Sequence, residues 1–322
     1  MNQGWTYHNR VQPQDQGLSL LAYYTQRYPH SSQAEWRSRI LAGAVLVDGA
    51  IAPPDLPLQL KQRLSYYRRP WQEPPAPLGI PILYEDADLL VVAKPSGLPV
   101  LPGGGFLEHT LLHQLQQRYP QDKPVPVHRL GRGTSGVMLL GRSPLAKADL
   151  SRQLREATER AETSPAFKKI YRALVAPGPI PDRFTLTTPI GRLPHDTLGY
   201  VYGASPEGKP AYSQGHVLER RADSTLVEVA IATGRPHQIR IHMAAAGYPL
   251  VGDPLYGVGG IPLIFPAGQR QSLPGDCGYH LHAYELYFCH PRTAEPMTVQ
   301  CPAPDLFCVQ ATRMDAAAIC KD

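Results

Sequence analysis

The sequence predicts a mixed α+β fold in two parts: a small N-terminal αβ module and a larger α+β domain. Three observations carry this. Short alternating strands dominate from Tyr171 onward, with a few helices but no regular strand–helix alternation, which argues against a doubly wound sheet. A proline cluster, Pro70-Trp71-Gln72-Glu73-Pro74-Pro75-Ala76-Pro77 followed by Pro81, reads as a stiff linker. Apolar residues make up 43% of 322 residues, enough to fill one large core and one small one. The expected boundaries are a module over 1–69, a linker over 70–81, the main domain over 82–310 and a tail over 311–322.

In the N-terminal module, Ser32 and Glu35 form a capping-box pattern ahead of Trp36-Arg37-Ser38-Arg39-Ile40-Leu41. Ala42-Gly43 predicts the end of that helix, and Val45-Leu46-Val47 a strand that runs into an Asp48-Gly49 turn. After the linker, residues 82–95 read as strand, turn, strand, closed by Pro95-Ser96-Gly97. Taken alone, Lys94 there is a solvated edge residue. Thr110 predicts the cap of a short amphipathic helix carrying Leu111, Leu112 and Leu115. Ser143-Pro144 predicts another, with Ala146, Leu150 and Leu154 on one face and proline at its first position.

The formal net charge is +5, which permits a nucleic-acid partner without demanding one. No apolar run approaches the roughly 20 residues of a membrane span, and Met1–Arg10 lacks the apolar core of a signal peptide. A cytoplasmic protein with no membrane association is expected. Its five cysteines, Cys277, Cys289, Cys301, Cys308 and Cys320, are odd in number, include no C-x-x-C pair, and read as reduced thiols. Cys277, His280, His282, Cys289 and His290 have irregular spacing for zinc, and no metal is expected. Gly103-Gly104-Gly105 is not followed by Gly-Lys-Ser/Thr, so it is not a phosphate loop.

The chemistry-bearing stretch is His128-Arg129-Leu130-Gly131-Arg132-Gly133-Thr134-Ser135-Gly136, followed by the apolar run Val137-Met138-Leu139-Leu140. It resembles the central HRLD-x-x-TSG motif of the RluA-type RNA pseudouridine synthases. Further blocks lie in the same order as in that family: residues 82–100, 168–175, 231–257 and 281–304. The resemblance implies a mostly antiparallel mixed sheet with packed helices. It also implies isomerisation of uridine in structured RNA, ribosomal or transfer, by a monomer that needs no cofactor or metal. The target base leaves the helix stack, its bond from N1 to ribose C1′ is cut, and it is rejoined through C5.

By the same resemblance Tyr171, in Lys169-Ile170-Tyr171, stacks on the target base. Arg240, in Gly234-Arg235-Pro236-His237-Gln238-Ile239-Arg240, holds the catalytic aspartate. Arg129 helps occupy the space of the flipped nucleotide, and Lys94-Pro95 supports the active-site loop. The helix–glycine–strand–Asp-Gly order near the N-terminus is similar to the S4 RNA-binding module, which makes Arg37 and Arg39 phosphate contacts, joined by Arg132 and Arg129 in the main domain. Bland alternatives stand beside these roles: Tyr171 as a core tyrosine, Arg240 as a structural ion-pair partner, Arg37 and Arg39 as solvated arginines. His128, His237 and His242 are expected to orient backbone rather than transfer protons.

The sequence departs from the family at one position: the nucleophilic aspartate is Gly131. Glycine offers no group to attack, to take a proton or to bind Arg240. Arg240 is therefore expected to have lost its family anion and to be satisfied by another carboxylate, an RNA phosphate or water. Asp253, in Gly252-Asp253-Pro254, reads as a turn residue rather than a replacement nucleophile. The glycines at 131 and 133 are expected to loosen the loop. A Gly131→Asp substitution is expected to fold, to project into the pocket and to pair with Arg240. Two readings follow: a divergent pseudouridine synthase that uses a displaced acid or another mechanism, or a non-catalytic RNA-binding protein on the same fold.

Overall fold

The computed structural model describes residues 1–159, 167–195, 198–266 and 269–310; the expected tail at 311–322 and Cys320 lie outside them. One compact unit is built on Met1–Glu73, and the other begins at Pro74, inside the proline-rich stretch.

The first unit contains β1 (Trp5–Arg10), α1 (Leu20–Arg27), α2 (Gln33–Leu41), β2 (Val45–Val47), β3 (Ala50–Ile51) and β4 (Arg63–Arg68). Its antiparallel sheet has the order β1-β4-β2-β3. The capping box forms as the sequence predicts: Ser32 Oγ accepts from Glu35 N–H, and Glu35 Oε2 accepts from Ser32 N–H. Helix α2 then buries Trp36 and Ile40 against Leu20, Tyr24, Val45 and Leu64. Strand β1 carries no apolar alternation and is mostly exposed, so nothing in its side chains announces it. It forms by pairing along its whole length with β4.

The second unit opens with β5 (Ile82–Glu85) and β6 (Leu89–Lys94), the predicted hairpin. Helix α3 (Leu111–Arg118) follows, capped by Thr110 Oγ1 on His113 N–H. Next come β7 (Val125–Pro126), β8 (Ser135–Gly141) and α4 (Pro144–Glu159), the last with Ser143 Oγ accepting from Ala146 N–H. The remainder is β9 (Lys168–Val175), β10 (Arg183–Leu186), β11 (Ile190–His195), β12 (Gly199–Ala204), β13 (Ser213–Arg220), β14 (Thr225–Ile231), α5 (Gln238–Ala245), β15 (Leu281–Cys289) and β16 (Pro296–Gln300).

Ten of these strands make one sheet, ordered β10-β13-β14-β9-β15-β8-β6-β5, with β16 added beside β15 and β7 beside β8. Every pairing in it is antiparallel except β15 with β8. This is the mixed, mostly antiparallel α+β sheet expected from the sequence. Its centre is apolar: Val91, Leu139, Val227 and Phe288 are fully buried in one continuous core.

The parallel junction explains Gly136. There Ala283 faces Gly136, and Gly136 has φ +115°. A β-carbon on it would stand 2.1 Å from Ala283 O, so only glycine lets the two backbones meet. Ser135 Oγ and His282 Nδ1 lie 2.9 Å apart beside it.

Candidate active site

A pocket of about 350 Å³ opens where five segments converge: the 127–134 loop ahead of β8, the C-terminal half of α4 with Leu154 and Thr158, the middle of β9, the turn from β14 into α5, and the residues leading into β15. Arg129, Lys169, Tyr171, Arg235, Arg240 and Tyr279 line it. No aspartate or glutamate lines it among the described residues.

The loop at 127–134 is fixed by its neighbours. Lys94 is 1% exposed, and its Nζ donates to Pro95 O, Leu98 O and Arg132 O. Ser96 Oγ donates to Gly133 O, and Gly97 N–H to Arg132 O. Lys94 is therefore an internal clamp, not a solvated edge residue. Burial pulls its pKa down to about 7.

Gly131 and Gly133 pack against Tyr279 within this hydrogen-bonded loop. A β-carbon on Gly131 would stand 2.5 Å from the Tyr279 hydroxyl, and one on Gly133 about 3.0 Å from the Tyr279 ring. Both glycines are there for space, packed on Tyr279. Tyr279 is 4% exposed; its hydroxyl lies 3.2 Å from Thr134 Oγ1, and its ring is 4.1 Å from the Arg240 guanidinium carbon. Burial raises its pKa, so it stands as a phenol. An aspartate at 131 would enter the pocket only if the Tyr279 ring shifted, and the Arg240 partner expected for it is already Asp253. Residue 279 lies just before the fifth matching block, and nothing in the sequence around it marks it.

Arg240 has an anion after all. Its Nε and Nη2 donate to Asp253 Oδ2 and Oδ1, both at 2.7 Å, with both side chains almost fully enclosed. Asp253 Oδ1 also accepts from Leu255 and Tyr256 N–H, the turn role read from the sequence. Burial opposes the Arg240 charge, but Asp253 outweighs it and raises its pKa. Nη1 remains buried and without a hydrogen-bond partner among the described residues.

Tyr171 is 7% exposed, lines the pocket, and its hydroxyl makes no hydrogen bond among the described residues. Arg129 lies on the pocket rim and is exposed. Arg132 does not join them. Its Nε donates to Cys277 Sγ at 3.1 Å, its guanidinium lies over Phe106, and it faces a separate cavity with Arg270 and Asp276. In the other unit, Arg37 is exposed, whereas Arg39 donates to Ser31 Oγ and stacks on Trp36.

The histidines are held in the scaffold. His128 Nε2 accepts from Leu139 N–H, and burial pulls the His128 pKa to about 3. His237 caps α5 in the left-handed region at φ +54°, hydrogen-bonds the Tyr256 hydroxyl through Nδ1, and is likewise pulled to about 3. His242 lies between Ser213 Oγ and Thr188 O. The residues once considered for zinc have other partners: His282 with Ser135 and Cys301 O, His290 with Asp86.

A family model for RNA pseudouridylate synthases matches residues 88–245, which span the whole pocket loop, β9, β14 and α5. An uncharacterized RNA pseudouridine synthase from Synechocystis is 49% identical over 285 residues, covering 88% of this chain and 94% of that protein. RNA pseudouridine synthase 5 of rice (Oryza sativa) is 40% identical, covering 99% and 91%. The solved structure of human RNA pseudouridylate synthase domain containing 1 superposes with a TM-score of 0.54 at 23% identity, covering 78% and 98%, a likeness of fold. The chain belongs to the RNA pseudouridine synthase family.

Proposed function

We propose that this protein isomerises uridine to pseudouridine in RNA, in a pocket whose described residues include no carboxylate. The observation that carries this is the shared wall formed by Tyr171 on β9, Arg240 on α5 and Arg129 on the loop, around a cavity sized for one nucleoside. Tyr171 supplies a face for the flipped base, and stacking of this kind is worth about 1–3 kcal/mol. Arg129 and Arg235 supply cations for the flanking phosphates. Arg240 with Asp253 holds the pocket wall.

A relative from Neisseria meningitidis, 36% identical over 90% of this chain, is named ribosomal large subunit pseudouridine synthase D, which favours ribosomal RNA over transfer RNA as substrate. The first unit serves as an S4-like RNA contact through Arg37, with Arg39 buttressing its helix. The protein acts as a cytoplasmic monomer; among the described residues no helix is long and apolar enough to cross a membrane.

One observation favours a second reading. Tyr279 stands where an aspartate on residue 131 would begin, so the place of the nucleophile that the resemblance implies is occupied by its ring. A non-catalytic RNA-binding protein would tolerate that occupancy. Nucleoside analysis of ribosomal and transfer RNA incubated with the protein separates the two: the first reading requires new pseudouridine, the second requires binding without it.

A further inference from the structure

Lys169 is a buried amine for which the scaffold has no use. It is 6% exposed and lies on β9, inside the sheet between Ile231 of β14 and Leu286 of β15. Its Nζ has no hydrogen-bond acceptor or carboxylate among the described residues, and its ring contact is Phe167 at 5.9 Å. A cation in such a place is expensive unless something that visits the pocket uses it.

Its neighbours narrow that use. Lys169 and Tyr171 are two residues apart on one strand, so their side chains leave the same face of the sheet about 6–7 Å apart. Both line the pocket. A base stacked on Tyr171 therefore presents its ring edge to Lys169.

Among the described residues, the other ionisable groups on the pocket wall are poor bases. From the loop ahead of β8 come His128 and Arg129; from the β14–α5 turn come Arg235, His237 and Arg240; from the lead into β15 comes Tyr279. The two histidines are held neutral, with pKa values near 3. Burial makes Tyr171 and Tyr279 weaker acids. The arginines keep their protons. Burial pulls Lys169 down to about 8, where amine and ammonium both exist near neutral pH.

We propose that Lys169 is a catalytic residue that carries the proton from C5 to N1 of the target uracil. This rests on the synthase reading above. Once C5 has bonded to C1′, C5 still holds its hydrogen and the ring has a double bond from N1 to C6. The Lys169 amine takes the C5 proton. The C5–H electron pair restores the C5–C6 double bond, and the N1–C6 π pair moves onto N1. The Lys169 ammonium then gives its proton to N1. Lys169 ends as it began, and no co-reactant is needed.

The test is single-turnover reaction of RNA carrying hydrogen, deuterium or tritium at uridine C5, between pH 6 and 9. Wild type is compared with Lys169→Met, Lys169→Gln and Lys169→Arg. The wild-type rate is expected to rise with pH and level off near pH 8. Met and Gln are expected to slow tritium release about 100-fold or more, to flatten the pH profile, and to enlarge the C5-deuterium isotope effect, with RNA affinity unchanged within about threefold. Met removes an unpaired buried charge, so folding is not expected to suffer, and Gln provides a second folded variant. Arg keeps a charge that cannot be given up, so it is expected to be as slow as Met. A wild-type rate and pH profile in Met or Gln overturns the proposal alone. Restoration by Arg also overturns it, leaving Lys169 as a fixed charge. RNA binding by the wild type with no pseudouridine formed overturns the synthase reading, and this proposal with it.

Discussion

The hydroxyl of Tyr279 lies 2.5 Å from the point where a β-carbon on Gly131 would stand. The two residues share one space: the ring from the lead into β15 occupies the volume that a side chain on residue 131 would enter. Gly131→Asp alone forces that ring out of its contacts with Thr134 and Arg240, and overpacking of this kind costs about 1–3 kcal/mol. No gain of activity is expected from the single substitution. In Gly131→Asp/Tyr279→Ala the carboxylate has room, so the pair is expected to be more stable than the sum of the single changes by about 1 kcal/mol or more. Urea unfolding of all four proteins measures this coupling.

The buried Arg240–Asp253 pair dominates the stability of the β14–α5 corner. Removing either partner strands the other charge, and Asp253→Ala also strips two turn N–H groups of their acceptor. Arg240→Ala and Asp253→Ala are each expected to lose about 3–5 kcal/mol in denaturant unfolding. A loss below 1 kcal/mol in both would mean that the pair is not held as the geometry has it. An activity loss in Arg240→Ala must therefore be read at a temperature where the variant stays folded.

Lys169 sets a pH dependence of stability. Its folded pKa of about 8 lies below its ordinary 10.5, so the unfolded chain binds more protons between those values. The penalty is complete below pH 8 and fades as pH climbs to 10.5. The stability advantage of Lys169→Met over wild type is expected to shrink by roughly 3 kcal/mol across that window. A difference that stays constant with pH would place the lysine in water.

Arg37 and Arg39 are expected to behave differently although they are two residues apart. Arg37 is exposed on α2, and Arg37→Ala is expected to lower the slope of log affinity for RNA on log salt by about 1. Arg39 is tied to Ser31 and Trp36, so Arg39→Ala is expected to change thermal stability along with binding. Equal, salt-independent effects of the two would remove α2 from the RNA contact.

The parts of this structure that were legible in the sequence are those encoded locally. Ser32–Glu35, Thr110 and Ser143-Pro144 mark helix starts through a few adjacent atoms, and the 82–94 hairpin shows in two apolar runs on either side of Glu85-Asp86-Ala87-Asp88. What was not legible depends on partners distant in the chain. Strand β1 exists only through β4. Gly131 implies a missing anion for Arg240, but the sequence around Asp253 signals only a turn, since its side chain does both jobs at once. The place of Tyr279 depends on its contact with a glycine 148 positions earlier, and the burial of Lys169 on the sheet that closes over β9, so neither shows in the residues beside it.

The central claim is that a pocket with Gly131 and Tyr279, and no carboxylate among the described residues of its wall, still makes pseudouridine. The most direct measurement is mass-spectrometric nucleoside analysis of unmodified ribosomal RNA incubated with less than stoichiometric wild-type protein, with a Tyr171→Ala control. The account predicts more pseudouridine than protein present, lost in Tyr171→Ala. Tight RNA binding by the folded wild type with no pseudouridine, in ribosomal or transfer RNA, would contradict it and leave an RNA-binding protein on a synthase fold.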